Sequence, residues 1–267
     1  MVVFPNIKIN LGLHILDKRP DGYHNLQSIF YPVPWSDVLE IVKSEAFIFE
    51  ASGLEIPGNP EENLVVKAYE LLKADFKLSP VAIYLYKAIP TGAGLGAGSA
   101  DASFTLMTLN ELFDLKLSEV QLLAYAAKLG SDCPFFILNT PCLVTGRGEN
   151  LEKVPFNLSG LWIKLVHTGL AVSTKEAFAG IQPNANAIDL KSVMNAEIAN
   201  YENCFKNDFE QNVIAKYPLL GNLKDELLNE GALYASMSGS GSAFYGLFEN
   251  EPSQTGIARF EFITQLP

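Results

Sequence analysis

Cysteine, histidine and positive charge are all scarce in this chain, and each scarcity argues against a class of function. The three cysteines, Cys133, Cys142 and Cys204 in 267 residues, are an odd and widely spaced set that supports neither a disulfide framework nor a zinc site. The three histidines, His14, His24 and His167, form no HExxH pair of the kind that holds a catalytic metal. Lys and Arg number 19 against 30 Asp and Glu, a net charge of -11, so no general attraction to nucleic acid or an anionic membrane is expected. No apolar run approaches the ~20 residues of a membrane span. The opening MVVFPNIKINLGLHIL lacks the cationic start and small-residue cleavage site of a signal peptide. A cytosolic (cytoplasmic) enzyme is expected. An anionic ligand would have to be met locally, by a few basic side chains and aligned backbone N–H groups.

What is present is a packed globular composition, 48% apolar and 18% charged. Residues 7–15 alternate strictly, with Ile7, Ile9, Leu11, Leu13 and Ile15 on one face and Lys8, Asn10, Gly12 and His14 on the other. This predicts a half-buried strand with Lys8 and Asn10 side by side on its polar face. Further strands are expected at 38–42, 47–49 and 81–86. Asn59-Pro60-Glu61-Glu62 reads as a helix opening, followed by Leu64, Val65, Ala68, Leu71 and Leu72 at helical spacing. A helix is predicted over 99–115, and another from Ser118, with a capping box to Gln121, ending at Gly130. Thr145-Gly146-Arg147-Gly148 reads as a turn between two strands. The second half mixes strands (162–166, 243–248) with helices around 174–179, 189–195 and 218–229. The whole predicts an α+β protein of two domains, 1–152 and 153–267, divided in the polar stretch 147–160.

The strongest signal is Pro90-Thr91-Gly92-Ala93-Gly94-Leu95-Gly96-Ala97-Gly98-Ser99-Ala100-Asp101. Four glycines at alternate positions open backbone conformations closed to other residues and remove Cβ atoms that would hold a ligand away. A helix starts directly afterwards, so the unpaired N–H groups of its first turn can point at phosphate oxygens. A Walker A loop fails here, because Gly98 is followed by Ser99 with no lysine. The loose GxGxxG/A dinucleotide fingerprint is satisfied, but the excess glycines and a strand well inside the chain do not favour a Rossmann unit.

PTGAGLGAGSADA closely resembles the phosphate-binding motif of the galactokinase, homoserine kinase, mevalonate kinase and phosphomevalonate kinase (GHMP) superfamily. PNIKINLGLHIL followed by DGYHNLQSIF, then GSDCPFF (130–136), KNDFE (206–210) and SGSGSAFYGLF (238–248), resemble in the same order the 4-diphosphocytidyl-2-C-methyl-D-erythritol kinases in particular. The resemblance implies a ribosomal-protein-S5-like N-terminal domain that binds ATP and a ferredoxin-like C-terminal domain, with ATP and substrate meeting in the cleft between them. It implies ATP as phosphoryl donor, Mg²⁺ held mainly by the nucleotide, and a small-molecule substrate with a cytidine diphosphate moiety.

The resemblance also assigns residues. Asp132, which by itself reads as an N-cap before Pro134, becomes the group that accepts or orients the proton of the acceptor hydroxyl. Lys8 becomes its cationic partner near the reacting oxygen, with Asn10 beside it. Tyr23 stacks on the cytosine, His24 bonds its edge, and Phe178, otherwise a core residue, covers its other side. Ser99 touches phosphate or Mg²⁺, or simply caps the helix. Lys87 and Asn63 meet the adenosine side of ATP, and Gly239, Ser240 and Gly241 close over the substrate diphosphate. Asp101, where such kinases carry Asn or Asp, receives no metal role. Two other readings stand beside this one: a sister kinase for mevalonate, homoserine or a sugar, and a catalytically inactive nucleotide-binding regulator. The Tyr23-His24 pair with Phe178 speaks against the first, and retention of both Lys8 and Asp132 against the second.

Overall fold

The computed structural model describes all 267 residues. In chain order the elements are β1 (Val2–Val3), β2 (Asn6–Lys18), β3 (His24–Ser36), β4 (Val38–Lys43), β5 (Ile48–Gly53), α1 (Leu64–Phe76), β6 (Val81–Lys87), α2 (Ala97–Leu112), α3 (Glu119–Leu129) and α4 (Cys133–Leu138). They continue with β7 (Cys142–Gly146), β8 (Asn150–Lys153), β9 (Trp162–His167), α5 (Thr174–Phe178), α6 (Tyr201–Cys204), α7 (Asp208–Lys216), α8 (Pro218–Asn229), β10 (Tyr234–Met237), β11 (Phe244–Phe248) and β12 (Phe260–Gln265). No helix is long and apolar enough to cross a membrane.

The α+β chain forms two compact units that interleave along the sequence. One comprises Met1–Ile7, Trp35–Thr91 and Gly96–Thr140; the other comprises Lys8–Pro34, Gly92–Leu95 and Pro141–Pro267. In the first unit a sheet in the order β1-β4-β6-β5 is covered by helices. Leu39, Ile41, Ile83 and Leu85 from its strands bury against Val65, Tyr69 and Leu72 of α1 and Leu106 and Leu109 of α2. Each such aliphatic side chain contributes about 1.5–3 kcal/mol of burial. The sequence places the start of α1 one turn early. Pro60–Glu62 is a separate 3-10 turn, Asn59 makes no capping bond, and Asn63 caps α1 by accepting from Val65 N at 2.9 Å. The capping box of α3, Ser118 with Gln121, and its end at Gly130 form as expected.

The second unit holds two sheets, β2-β3-β7-β8 and β10-β11-β9-β12. The latter is antiparallel throughout and has the strand order of a ferredoxin-like domain. Its first crossover, from β9 to β10, carries α5 to α8, and Phe209, Val213, Leu220 and Leu223 of that crossover pack on Val166, Ala235 and Phe244. The second crossover has no helix. Glu249-Asn250-Glu251-Pro252-Ser253-Gln254-Thr255-Gly256 offers no apolar stripe to hold one, and it ends in a glycine. That segment is pinned instead by Lys164 on β9. Its fully buried ammonium donates to Glu230 at 2.7 Å, to Ser253 O at 2.8 Å and to Thr255 Oγ1 at 2.9 Å, with Glu261 3.7 Å away. The expected helix at 189–195 is a 3-10 turn, Leu190–Val193.

β2 departs from its pattern most. It is not half-buried: Lys8, Asn10 and His14 are 2%, 2% and 5% exposed, as hidden as the alternating isoleucines. A buried polar face must be satisfied internally, and all but His14 Nε2, which has no partner, can be accounted for. Ser28 Oγ accepts from Asn10 Nδ2 at 2.8 Å and donates to Gly12 O at 2.6 Å, while Asp208 accepts from Ile15 N at 2.7 Å and stands 3.5 Å from His14 Nδ1.

Candidate active site

In the second unit the glycine loop meets β2 and the turn after β10. Lys8 N donates to Leu95 O at 3.0 Å. Lys8 Nζ donates to Asn10 Oδ1 at 2.5 Å and to Gly94 O at 3.0 Å, and it lies 4.6 Å from the centroid of the Phe30 ring. The strand period that set Lys8 and Asn10 on one face thus makes them direct partners.

The 238–241 turn is fitted to the same loop. Ser238 Oγ donates to Gly94 O at 3.0 Å, and Ala243 N donates to Ala93 O at 3.0 Å. A Cβ on Gly94, whose φ is +77°, would stand 2.0 Å from Ser238 O, and one on Gly239, whose φ is +57°, would lie 3.3 Å from Asn10 Oδ1. At Gly94 the missing side chain therefore makes room for protein backbone rather than for a ligand. Asn207, in the KNDFE stretch, holds the turn from below, donating to Met237 O and Gly239 O at 2.8 Å each. Ser240 Oγ is 3.4 Å from Thr174 Oγ1.

In the first unit α2 begins at Ala97, earlier than expected, on Gly96 with φ +73°. Ser99 is not its cap but sits inside the first turn, as does Gly98. A Cβ on Gly98 would meet nothing within 4 Å, and Gly98 lines a cavity of about 460 Å³ together with Thr91, Asn63, Lys87, Asp101 and the 51–60 segment. The first-turn N–H groups of α2 have no intrahelical acceptor. Here the glycine does open space for a ligand.

Lys87 and Asp101 on that cavity belong to a buried ion cluster. Lys87 Nζ donates to Asp101 Oδ2 at 2.7 Å and to Asp37 Oδ2, whose other oxygen accepts from Ala88 N at 2.7 Å and Ile89 N at 3.0 Å. Burial works against the ammonium, but Asp101 and Asp37 outweigh it and hold the Lys87 pKa above its ordinary value. Two carboxylates share one cation, so the second is poorly compensated. Burial pushes the Asp101 carboxyl up to about 7, Lys87 pulls it back only in part, and Asp37 adds to the rise. Asp101 Oδ1 is buried with no partner within the protein.

Asp132 occupies the N-cap position of α4, yet its side chain makes no capping hydrogen bond, so the simple capping role falls away. Its neighbour Cys133 is no nucleophile, since burial pushes that thiol up to about 11.

The aromatic residues come together in the second unit, though not all as expected. His24 and Phe178 lie flat on each other, ring centroids 5.0 Å apart at 20°, and Phe178 also meets Phe209 edge-on at 4.7 Å. Phe178 is thus both a packing residue and a ring contact of His24. Tyr23 is 59% exposed and carries the Arg147 guanidinium 5.0 Å above its ring centroid. The sequence reading missed Arg147, seen only as a turn residue, as well as Asp37, Phe30 and Ser238. For Asn207 the KNDFE motif was the available signal.

The chain matches the model for the GHMP kinases N terminal domain over residues 63–140 and that for the GHMP kinases C terminal over residues 181–260. It is similar to a 4-diphosphocytidyl-2-C-methyl-D-erythritol kinase of Bacteroides fragilis, 50% identical over 100% of both chains. The chain belongs to the 4-diphosphocytidyl-2-C-methyl-D-erythritol kinase family of the GHMP kinases. The enzyme of that name from Bacteroides thetaiotaomicron is 51% identical over 94% of this kinase and 93% of its own length. A crystal structure of 4-(cytidine 5'-diphospho)-2C-methyl-D-erythritol kinase superposes with a TM-score of 0.79 at 29% identity, over 92% of this kinase and 90% of that chain. The kinase is accordingly a phosphotransferase of the two-part GHMP fold.

Proposed function

We propose that this kinase transfers the γ-phosphoryl group of ATP to the 2-hydroxyl of 4-diphosphocytidyl-2-C-methyl-D-erythritol, giving ADP and the 2-phosphate, a step of non-mevalonate isoprenoid precursor synthesis in the cytoplasm. The observation that carries the substrate is the meeting of His24 and Phe178, far apart in sequence and stacked in the fold. Acceptors such as mevalonate, homoserine or a sugar have no planar base that would need such rings.

On this reading Lys8 and Asp132 are the catalytic residues. Asp132 accepts or orients the proton of the 2-hydroxyl, and the Lys8 ammonium favours the alkoxide character that develops on that oxygen. Phosphoryl transfer asks the protein chiefly for in-line positioning and neutralised charge. The stretch from Pro90 to Ala100 positions the ATP phosphates, with Gly98 and Ser99 in the first turn of α2. Lys87 and Asn63 line the cavity for the adenosine part. Asn10, Tyr23, His24, Phe178, Gly239 and Ser240 position the cytidine diphosphate. Residues 1–152 would then form the ATP-binding kinase domain, which also carries Lys8, Asn10, Tyr23, His24 and Asp132, and residues 153–267 the C-terminal GHMP kinase domain.

Magnesium supplies neutralisation of the phosphate oxygens when bound. On this reading the ion arrives on the nucleotide and is held mainly by it.

A coupled ADP-release assay tests the assignment. Turnover with the cytidylated methylerythritol, and none with mevalonate, homoserine or galactose, is expected. Equal or better turnover with one of the latter three would refute it.

A further inference from the structure

Arg147 stands on one face of the Tyr23 ring, and Tyr23 is more than half exposed. Both residues are fixed at their roots. Tyr23 N donates to Asp21 Oδ1 at 3.1 Å, and Arg19 Nε donates to the two oxygens of the same carboxylate at 3.3 and 3.1 Å. Arg19 Nη1 reaches on to Asn25 Oδ1 at 2.9 Å. Across from this loop, Arg147 Nε lies 3.5 Å from Glu149 Oε1, and the backbone N of Arg147 donates to Glu149 Oε2. Gly146, with φ +72°, lets that turn close, since a Cβ there would stand 2.7 Å from Glu149 Oε2. Desolvation works against the Asp21 carboxylate, but the Tyr23 N–H, Arg19 and Arg147 together outweigh it and hold its pKa below the ordinary value. Alternating charges, Arg19, Asp21, Arg147 and Glu149, thus join two loops around one exposed ring.

We propose that Arg147 is a positioning residue for the substrate, fixing the Tyr23 ring from one face so that the other receives the pyrimidine of the cytidine diphosphate group. This rests on the assignment of Tyr23 to the pyrimidine. A planar guanidinium suits the task, because it stacks on the ring while its edge remains bonded to Glu149. Cation–ring contacts at exposed sites correspond to about a two- to fivefold change in affinity.

The test measures KM for the cytidylated substrate, KM for ATP and kcat in Arg147→Ala, Arg147→Lys, Tyr23→Leu and the Arg147→Ala/Tyr23→Leu double variant. Thermal unfolding confirms that each is folded. Arg147→Ala is expected to raise KM for the cytidylated substrate about two- to fivefold, with kcat and KM for ATP unchanged. Arg147→Lys should recover part of the loss, and Arg147→Ala should add nothing once Tyr23 is leucine. An unchanged KM in Tyr23→Leu would remove the parent assignment of Tyr23. A raised KM in Tyr23→Leu would leave that assignment standing. Beside it, a silent Arg147→Ala, or the same Arg147→Ala penalty with and without the tyrosine, would overturn the role of Arg147.

Discussion

A methyl group on Gly94 would stand 2.0 Å from the carbonyl oxygen of Ser238, so two segments far apart in sequence are built to touch through backbone alone. Gly98, four residues on, has nothing within 4 Å of the same position. The two glycines of one motif therefore serve different ends, and substitution should separate them. Gly94→Ala combines an unfavourable φ of +77° with a backbone clash and should cost about 2–4 kcal/mol of stability. Gly98→Ala lies in a helix, where alanine is favoured by about 1 kcal/mol. It should fold at least as well as the wild type while raising KM for ATP. Denaturant melts and steady-state kinetics on the pair decide the matter; equal stability of the two variants would contradict it.

Lys8→Met and Asp132→Asn keep side-chain volume while removing charge. Each should lower kcat by about 10²–10⁴-fold, with nucleotide affinity near that of the wild type by calorimetry. Activity within tenfold of the wild type in either would withdraw its catalytic assignment.

The Asp37–Lys87–Asp101 cluster makes stability depend on pH in a direction opposite to the usual carboxylate. The Asp101 pKa is raised from an ordinary 3.8 to about 7 in the folded chain. Through that window the folded chain keeps a proton that the unfolded chain has shed, so this contribution declines as pH rises from 4 to 7 and is level above. Asp101→Asn removes the titration. The Tm of that variant minus that of the wild type should grow between pH 5 and pH 8, and a difference independent of pH would refute the shift.

Lys164 is surrounded by acceptors that lose their cation together if it is replaced. Lys164→Met leaves Glu230 and Glu261 facing each other's charge within the fold, a loss of about 3–5 kcal/mol, or roughly 6–20 °C in Tm. Turnover at low temperature should persist, since Lys164 lies outside the proposed site. Differential scanning calorimetry checks the first statement and the ADP-release assay the second.

Much of this site was legible in the sequence where local chemistry decides structure. The alternation of 7–15 gave the contact of Lys8 with Asn10, and Ser118 with Gln121 gave a helix start to the residue. The same alternation misjudged burial, because period two reports which residues share a face and not what that face meets. α1 began late since two candidate caps, Asn59 and Asn63, stand a turn apart, and only packing chooses between them. β3 was not foreseen: Pro32 and Pro34 interrupt its apolar pattern. Asp37 and Arg147 gave no warning, for the partners that give them meaning, Lys87 and Tyr23, are distant along the chain.

The flat contact between His24 and Phe178 also bears on how acceptors are told apart. On the proposed reading, a base that takes the face of Phe178 now covered by His24 displaces the imidazole to its edge, since a ring inserted between two others needs about 7 Å between them. The imidazole would then act as an internal competitor for that face. On that reading a molecule bringing its own aromatic plane would replace the contact it breaks, and polyols and amino acids would not.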